Sequence, residues 1–214
     1  MAYKHGIYGQ EIATSLVPMT ETDAGLIVAF GTAPAHLATA PVAANTPVLC
    51  YTYAEAVAAM GYSDDFAKYT LCEVMKAHFS LFNMAPIVLI NVLDITKHKK
   101  SVEKHEVAVK EKAAVIVAPV LMESMKVFAD GSIETPLTKD TDYTAAHDDD
   151  GNVLITVLDG GSAKEATSLY VQYDEADSTQ VQASDIVGGV DINTGKAEGL
   201  ELIDEIYPRF GLVP

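Results

Sequence analysis

The sequence is short of positive charge. Fourteen lysines and arginines stand against 30 aspartates and glutamates, Arg209 is the only arginine, and the formal net charge is -16. A nucleic-acid binder needs an excess of clustered cations to displace counterions, and a chain with this acidic balance does not supply it, so nucleic acid is set aside as a partner. Long apolar runs are lacking too. The longest, Met84 to Leu93, is broken by Pro86 and Asn91 and falls far short of the ~20 residues of a spanning helix. No membrane segment is expected. The opening Met-Ala-Tyr-Lys-His-Gly does not have the pattern of a secretory signal, so synthesis and folding are expected in the cytoplasm. Only two cysteines occur, Cys50 and Cys72, each inside an apolar segment, where they read as small buried hydrophobes rather than a disulfide or a catalytic pair.

The motifs of catalysis are missing as well. No Gly-x-Ser-x-Gly elbow presents a nucleophilic serine, and no Gly-x-Gly-x-x-Gly is present. Gly195-Lys196 is like the end of a phosphate loop, but Val190 replaces its first glycine and Ala197 its metal-binding hydroxyl. Asp148-Asp149-Asp150-Gly151 has the composition of a calcium loop, yet the carboxylates are consecutive where ligands would alternate, and a hairpin turn explains them better. Among the histidines, His78 falls on an apolar stripe and reads as a satisfied core residue, while His98 and His105 stand among lysines and read as surface. No cofactor, no metal and no enzymatic reaction are expected.

What is present, over 214 residues of which 49% are hydrophobic, is material for one or two globular domains. The strongest local signals lie between Thr46 and Asp94. Pro47 to Tyr51 reads as a strand. Thr52 and Glu55 have capping-box spacing and Gly61 suits a helix exit, which predicts a helix over Tyr53–Met60. Ser63, Asp64 and Asp65 suit the start of a second helix of about 19 residues. Its stripe would be Ala67, Leu71, Val74, Met75, His78, Leu81 and Phe82. Ile87 to Leu93 reads as a strand buried on both faces, as in a helix-covered parallel sheet. The unit is an α/β core.

Around it, Gly25 to Gly31 reads as a first buried strand and Thr32 to Asn45 as a surface loop. Lys97 to Lys112, rich in lysine, histidine and glutamate, reads as a solvated connection. Ala113 to Ala118, Lys126 to Ala129, Tyr143 to Ala146, Asn152 to Leu158 and Ser168 to Tyr173 read as strands of a small sandwich or barrel. Asp-Gly at 130–131 and 150–151 and Gly-Gly at 160–161 mark its turns. In the last strand Leu169, Val171 and Tyr173 share one face. After Gly188-Gly189 the α/β pattern resumes. A helix capped by Thr194 would place Leu200, Ile203 and Ile206 on one face and close at Pro208, and Phe210 to Val213 would begin another buried strand. The expected organisation is an N-terminal arm (1–20), the first part of an α/β domain (21–98), an inserted all-β domain (99–187) and a return to the α/β domain (188–214) that is incomplete at its C-terminus. Residues 1–20 are too apolar for a disordered tail and too rich in glycine and proline for a helix. Two readings are open for them: a lead-in strand on its own domain, or an arm that pairs with a neighbour's sheet edge.

Several strings, taken in order, resemble the contractile phage tail sheath proteins. They are Gly25-Leu-Ile-Val-Ala-Phe-Gly-Thr-Ala-Pro34, Tyr53-Ala-Glu-Ala56, Asn91-Val-Leu-Asp94, Asp140-Thr-Asp-Tyr143, Asp148-Asp-Asp-Gly151, Asp185-Ile-Val-Gly-Gly189, Gly199-Leu-Glu-Leu-Ile-Asp204 and Pro208-Arg-Phe-Gly-Leu-Val-Pro214. The resemblance covers essentially the whole chain and corresponds to the N-terminal half of such a protein. It implies a subtilisin-like α/β sheath domain without protease activity, carrying an all-β insertion. It further implies hexameric rings around a tail tube, joined by terminal arms that add strands to neighbouring subunits. Contraction of these rings drives the tube through a cell envelope. The partners implied are other sheath subunits and the tail tube protein, in a virion tail assembled in the bacterial cytoplasm. On this basis the arm reading is favoured, with Tyr3, Gly6, Ile7, Tyr8, Ile12 and Leu16 as its inter-subunit residues. The second half of the domain and a C-terminal arm are not in the sequence. From a different class, an α/β hydrolase-like or small-ligand-binding domain with a β insertion is the alternative, and it would need a polar site at the strand ends.

Overall fold

The structure, a computed structural model, describes residues 25–192 and 194–211. Its first sheet has three strands, β1 (Ile27–Gly31), β2 (Val48–Cys50) and β3 (Ile87–Asn91), in the order β1-β3-β2. The sheet is mixed: β1 runs parallel to β3, and β2 runs antiparallel to it. Only the central strand is buried throughout. β1 lies at an edge, which is why its apolar residues are half exposed where the sequence suggests a fully buried strand. The alternation along β3 sends Ile87 and Leu89 to one face and Val88 and Ile90 to the other. The first pair packs with Met60, Leu71 and Met75, and the second with Leu202 and Ile206.

Helix α1 (Tyr53–Met60) forms where its local signals place it. The Thr52 hydroxyl accepts from the Glu55 N–H at 3.2 Å, and the Glu55 carboxylate accepts from the Thr52 N–H at 3.3 Å. Gly61 ends it at φ 74°, and a Cβ there would lie 2.1 Å from the Pro34 carbonyl oxygen.

The second helix departs from expectation. Residues 63–69 form turns in which the Ser63 hydroxyl and the Asp65 carboxylate accept nearby N–H groups. Helix α2 (Thr70–Met75) starts late because Thr32, at the end of β1, caps it. The N–H of Thr70 donates to the Thr32 hydroxyl at 3.1 Å and that of Leu71 to the Thr32 carbonyl at 3.0 Å. From Lys76 to Leu81 the helix widens to π geometry, with the Phe82 N–H reaching back to the Ala77 carbonyl. The wider turn rotates the end of the stripe off the core. Leu71 and Met75 are fully buried and His78 is buried, while Leu81 and Phe82 are about 70% exposed. His78 is a core residue as expected but only partly satisfied: it hydrogen-bonds the Pro86 backbone, while its buried Nε2 has no partner among the described residues.

Residues 32–45 are not a free surface loop. Asn91, 2% exposed at the end of β3, holds them by its side chain. Its Oδ1 accepts from the Ala33 and Leu93 N–H groups, both at 3.0 Å, and its Nδ2 donates to the Ala33 carbonyl at 3.1 Å. The Asn45 N–H donates to the Asn91 backbone carbonyl at 2.8 Å.

The sandwich consists of β4 (Lys99–Ala108), β5 (Ala113–Ile116), β6 (Lys126–Phe128), β7 (Tyr143–His147), β8 (Val153–Val157) and β9 (Ser168–Ala176). They form two antiparallel sheets, β4-β9-β6 and β5-β8-β7. One apolar cluster joins the sheets, with Ala114, Ile116, Tyr143, Val153 and Ile155 from one and Val127, Leu169, Val171 and Tyr173 from the other. Strand β4 occupies the segment that charge alone suggests is a connection. A bulge between Val102 and His105 breaks its two-residue alternation. Asp150-Gly151 closes the β7–β8 hairpin, with Gly151 at φ 83°. The other two glycine pairs do not close hairpins, because the strands beside Gly131 and Gly160 belong to different sheets.

The return segment carries α3 (Ala183–Val187), a two-stranded ribbon of β10 (Gly189–Val190) and β11 (Ala197–Glu198), and α4 (Ile203–Phe210). Gly195 therefore lies in a ribbon turn, not in a helix capped by Thr194. The core face of α4 is Leu202, Ile206 and Phe210 in four-residue steps, and Leu200 and Ile203 are exposed. Pro208 does not close the helix, which continues to Phe210 and ends with the Gly211 N–H on the Tyr207 carbonyl. Phe210 is thus helical, and residues 212–214 of the expected strand lie outside the described residues.

Two substitutions test this core. Leu71→Ala is expected to cost about 2–5 kcal/mol in denaturant unfolding, as truncation of a fully buried leucine does. Asn91→Leu keeps the bulk but leaves two N–H groups and one carbonyl unpaired, and is expected to cost on the order of 3 kcal/mol.

Candidate functional site

The six residues expected to form an inter-subunit arm, Tyr3, Gly6, Ile7, Tyr8, Ile12 and Leu16, lie outside the described residues. What the structure does describe is the surface such an arm or another partner would meet. The outer edge of β1 has no neighbouring strand among the described residues. Ile27, at the start of that strand, is 39% exposed.

A larger apolar surface is built by the return segment. Gly188 and Gly199 set its shape by close backbone approach. A Cβ on Gly188 would lie 1.8 Å from the Glu198 carbonyl oxygen, and both glycines have positive φ. The Gly199 N–H donates to Asn45 Oδ1 at 3.2 Å, tying this segment to the loop that Asn91 holds. With α3 and the ribbon pinned in this way, Ile186, Val187, Val190, Ile192, Leu200 and Tyr207 remain largely exposed, Ile192 at 95%. A concentration of large apolar side chains on one segment is the signature of a contact surface rather than of a solvated face. Sequence periodicity did not reveal it, because the glycine contacts that shape it are set by tertiary packing.

The junction between the α/β layer and the sandwich is the second structured feature. The chain leaves through residues 94–98 and returns through 177–185, and the two are cross-linked. The Asp94 N–H donates to His98 Nδ1 at 3.1 Å, His98 Nε2 lies 3.4 Å from the Asp185 carboxylate, and the Asp177 N–H donates to the His98 carbonyl at 3.0 Å. His98 is therefore a buried junction residue, 7% exposed, not the surface residue its lysine neighbours suggest. His105 is half-buried and stacks edge-on against Tyr173. On the opposite side of the junction His36, in a short turn over Ala35–Leu37, meets His147 at the end of β7.

Two of the aspartates and both cysteines have structural surroundings. The Asp148 carboxylate accepts from the Asn152 side chain and from the N–H groups of Asp150 and Asn152, and these bonds hold its pKa below the usual range. Asp142 is held low in the same way by the N–H groups of Ser162 and Thr138. Cys50 and Cys72 are buried free thiols, and burial pushes each up to about 11. Among the described residues no three His, Cys, Asp or Glu side chains are placed to share a metal, and no helix is long and apolar enough to cross a membrane.

Comparison with known proteins gives one clear relative. The chain is 27% identical over 209 residues to the tail sheath protein of Burkholderia phage BcepMu, a match that takes in 98% of this chain and 41% of that protein. No family model matches the chain, and no solved structure matches it. Along nearly its whole length the chain is therefore similar to a phage tail sheath protein, the family that its ordered strings resemble.

Proposed function

We propose that this chain is part of a structural subunit of a contractile phage or phage-like tail sheath, and that it performs no catalysis. The similarity to a tail sheath protein across 98% of the chain carries this reading. The α/β layer, with helices on both faces of β3, is taken as the beginning of a subtilisin-like, non-catalytic sheath domain, with the sandwich as its insertion. Subunits polymerise as hexameric rings around the tail tube in the virion tail, after synthesis in the bacterial cytoplasm. Concerted rearrangement of the rings drives the tube through the cell envelope. Residues 1–20 act as an arm that adds a strand to a neighbouring subunit, and an open edge such as that of β1 is the kind of surface that receives one. The apolar surface from Ile186 to Tyr207 fits a face covered by further sheath sequence, since the matched region is less than half of the relative.

The test is electron microscopy of the full gene product beside a variant lacking residues 2–16, with circular dichroism to confirm folding. The parent is expected to form rings or tubes, and the deletion variant to fold but stay unassembled. Normal tubes from the deletion variant would remove the arm from the mechanism. A parent that stays monomeric under conditions that assemble phage sheaths would remove the sheath reading itself.

A further inference from the structure

The contact between His36 and His147 has a property that the packing around it does not require. His36 sits on the turn that projects from the Asn91-held loop toward the sandwich, and its neighbour Leu37 packs against the β7–β8 hairpin. A Cβ on Gly151 would lie 2.9 Å from Leu37 Cδ1. The His36 ring stands edge-on to the His147 ring, with centroids 5.9 Å apart, and tilted against Tyr69 at 6.4 Å. His147 uses its Nε2 on the Val120 carbonyl at 3.1 Å. Both ring nitrogens of His36 are buried and neither has a hydrogen-bond partner among the described residues. An apolar ring would fill this position without leaving two polar atoms unpaired.

We propose that His36 and His147 form an acid-sensitive latch between the α/β layer and the sandwich, in which protonation of His36 releases the hairpin 147–152 from the loop 32–45. A charged imidazolium here would have no acceptor among the described residues and would lie beside a second imidazole, so the docked arrangement selects the neutral ring.

The charged groups around the site do not reverse this. In the 63–69 turn Asp65 is paired with Lys68 at 2.9 Å. Across the cleft Asp174 is paired with Lys99, and the Asp94 carboxylate accepts from Thr96 and lies 4.0 Å from Lys97. Asp150 of the hairpin and Glu123 are exposed, where water screens them. Tyr69 is neutral in this range, pushed up to about 12 by burial first.

Burial first, and His147 second, lower the His36 pKa from 6.5 to about 4. A lowered pKa means that docking is complete above the free value of 6.5, weakens as pH falls between 6.5 and about 4, and changes no further below that. Over that window the latch equilibrium shifts by on the order of 10²-fold toward release.

Hydrogen exchange read by mass spectrometry at pH 7 and pH 4.5, corrected for intrinsic rates, tests the latch on the full gene product. Peptides covering 34–40 and 147–153 are expected to lose protection at the lower pH, while peptides from β3 and β8 keep it. His36→Phe is expected to retain protection in both junction peptides at pH 4.5. Equal acid loss in the parent and in His36→Phe would overturn the proposal, as would full protection of the parent at pH 4.5. Should the variant fail to fold, an NMR titration of the His36 ring in the parent decides. A midpoint below 6 at which the signals of residues 147–152 change together with the His36 ring supports the latch; a midpoint at or above 6, or a ring titration that leaves those signals unchanged, overturns it.

Discussion

The structure depends on one buried amide. Asn91 interrupts an otherwise apolar central strand, and an unpaired amide at that depth would cost several kcal/mol. Its side chain meets that demand by binding Ala33 on both its N–H and its carbonyl and by accepting from Leu93. The consequence reaches beyond the strand. Fixing Ala33 fixes Thr32 beside the start of α2, where the two threonines exchange hydrogen bonds and set the helix origin. It also directs the chain into the Ala35–Leu37 turn that meets the sandwich. The same strand end holds Asn45 through its backbone carbonyl, and Asn45 in turn binds Gly199 in the return segment. One polar residue in an apolar run thus orients the loop, the second helix, the junction and the return segment together.

The sandwich is attached with a comparable economy of contacts. Its first and last strands, β4 and β9, are adjacent and antiparallel, so chain entry and exit lie side by side. Around that neck the polar contacts are dense: Lys99 and Ser101 both reach Asp174, and the Gln180 amide reaches the Lys99 carbonyl. Away from the neck, the His36–Leu37 turn meets the β7–β8 hairpin beside a cleft of about 180 Å³ lined by Tyr69, Pro119 and Asn152, and a larger cleft of about 680 Å³ lies between residues 41–44 and 121–124.

The parts of this fold that could be read in advance are those whose causes are local. Helix α1 needs only Thr52, Glu55 and Gly61, all within ten residues of each other. Strand β9 announces itself through Leu169, Val171 and Tyr173, because period-two alternation is a property of the strand alone. The failures share the opposite character. The origin of α2 is set by Thr32, far away in the chain, and not by the Ser63-Asp64-Asp65 signal beside it. Leu81 and Phe82 look like core until the π turn rotates them outward. Strand β4 hides behind its lysines because the bulge at Val102 interrupts the alternation that would expose Val102, Val107 and Val109 as inward residues. His98 reads as surface among its lysines, although its ring is buried between Asp94 and the distant Asp185. At the level of interaction surfaces the arm residues lie outside the described residues, and neither the return-segment surface nor the His36–His147 contact leaves a local trace.

Charge and apolar exposure together constrain how this chain can associate. At a formal charge of -16, contact between two copies brings strongly acidic surfaces together, and long-range electrostatics oppose it. A single arginine leaves almost no capacity for bidentate pairing with carboxylates across an interface. Association between copies therefore has to rest on interactions that carry no net charge, namely backbone pairing at a sheet edge and burial of apolar side chains. Among the described residues the edge of β1 and exposed apolar side chains such as Ile186, Val187, Val190, Ile192, Leu81 and Phe82 are of those two kinds. The acidic remainder then opposes indiscriminate association, because a contact that buries little apolar area cannot offset the repulsion.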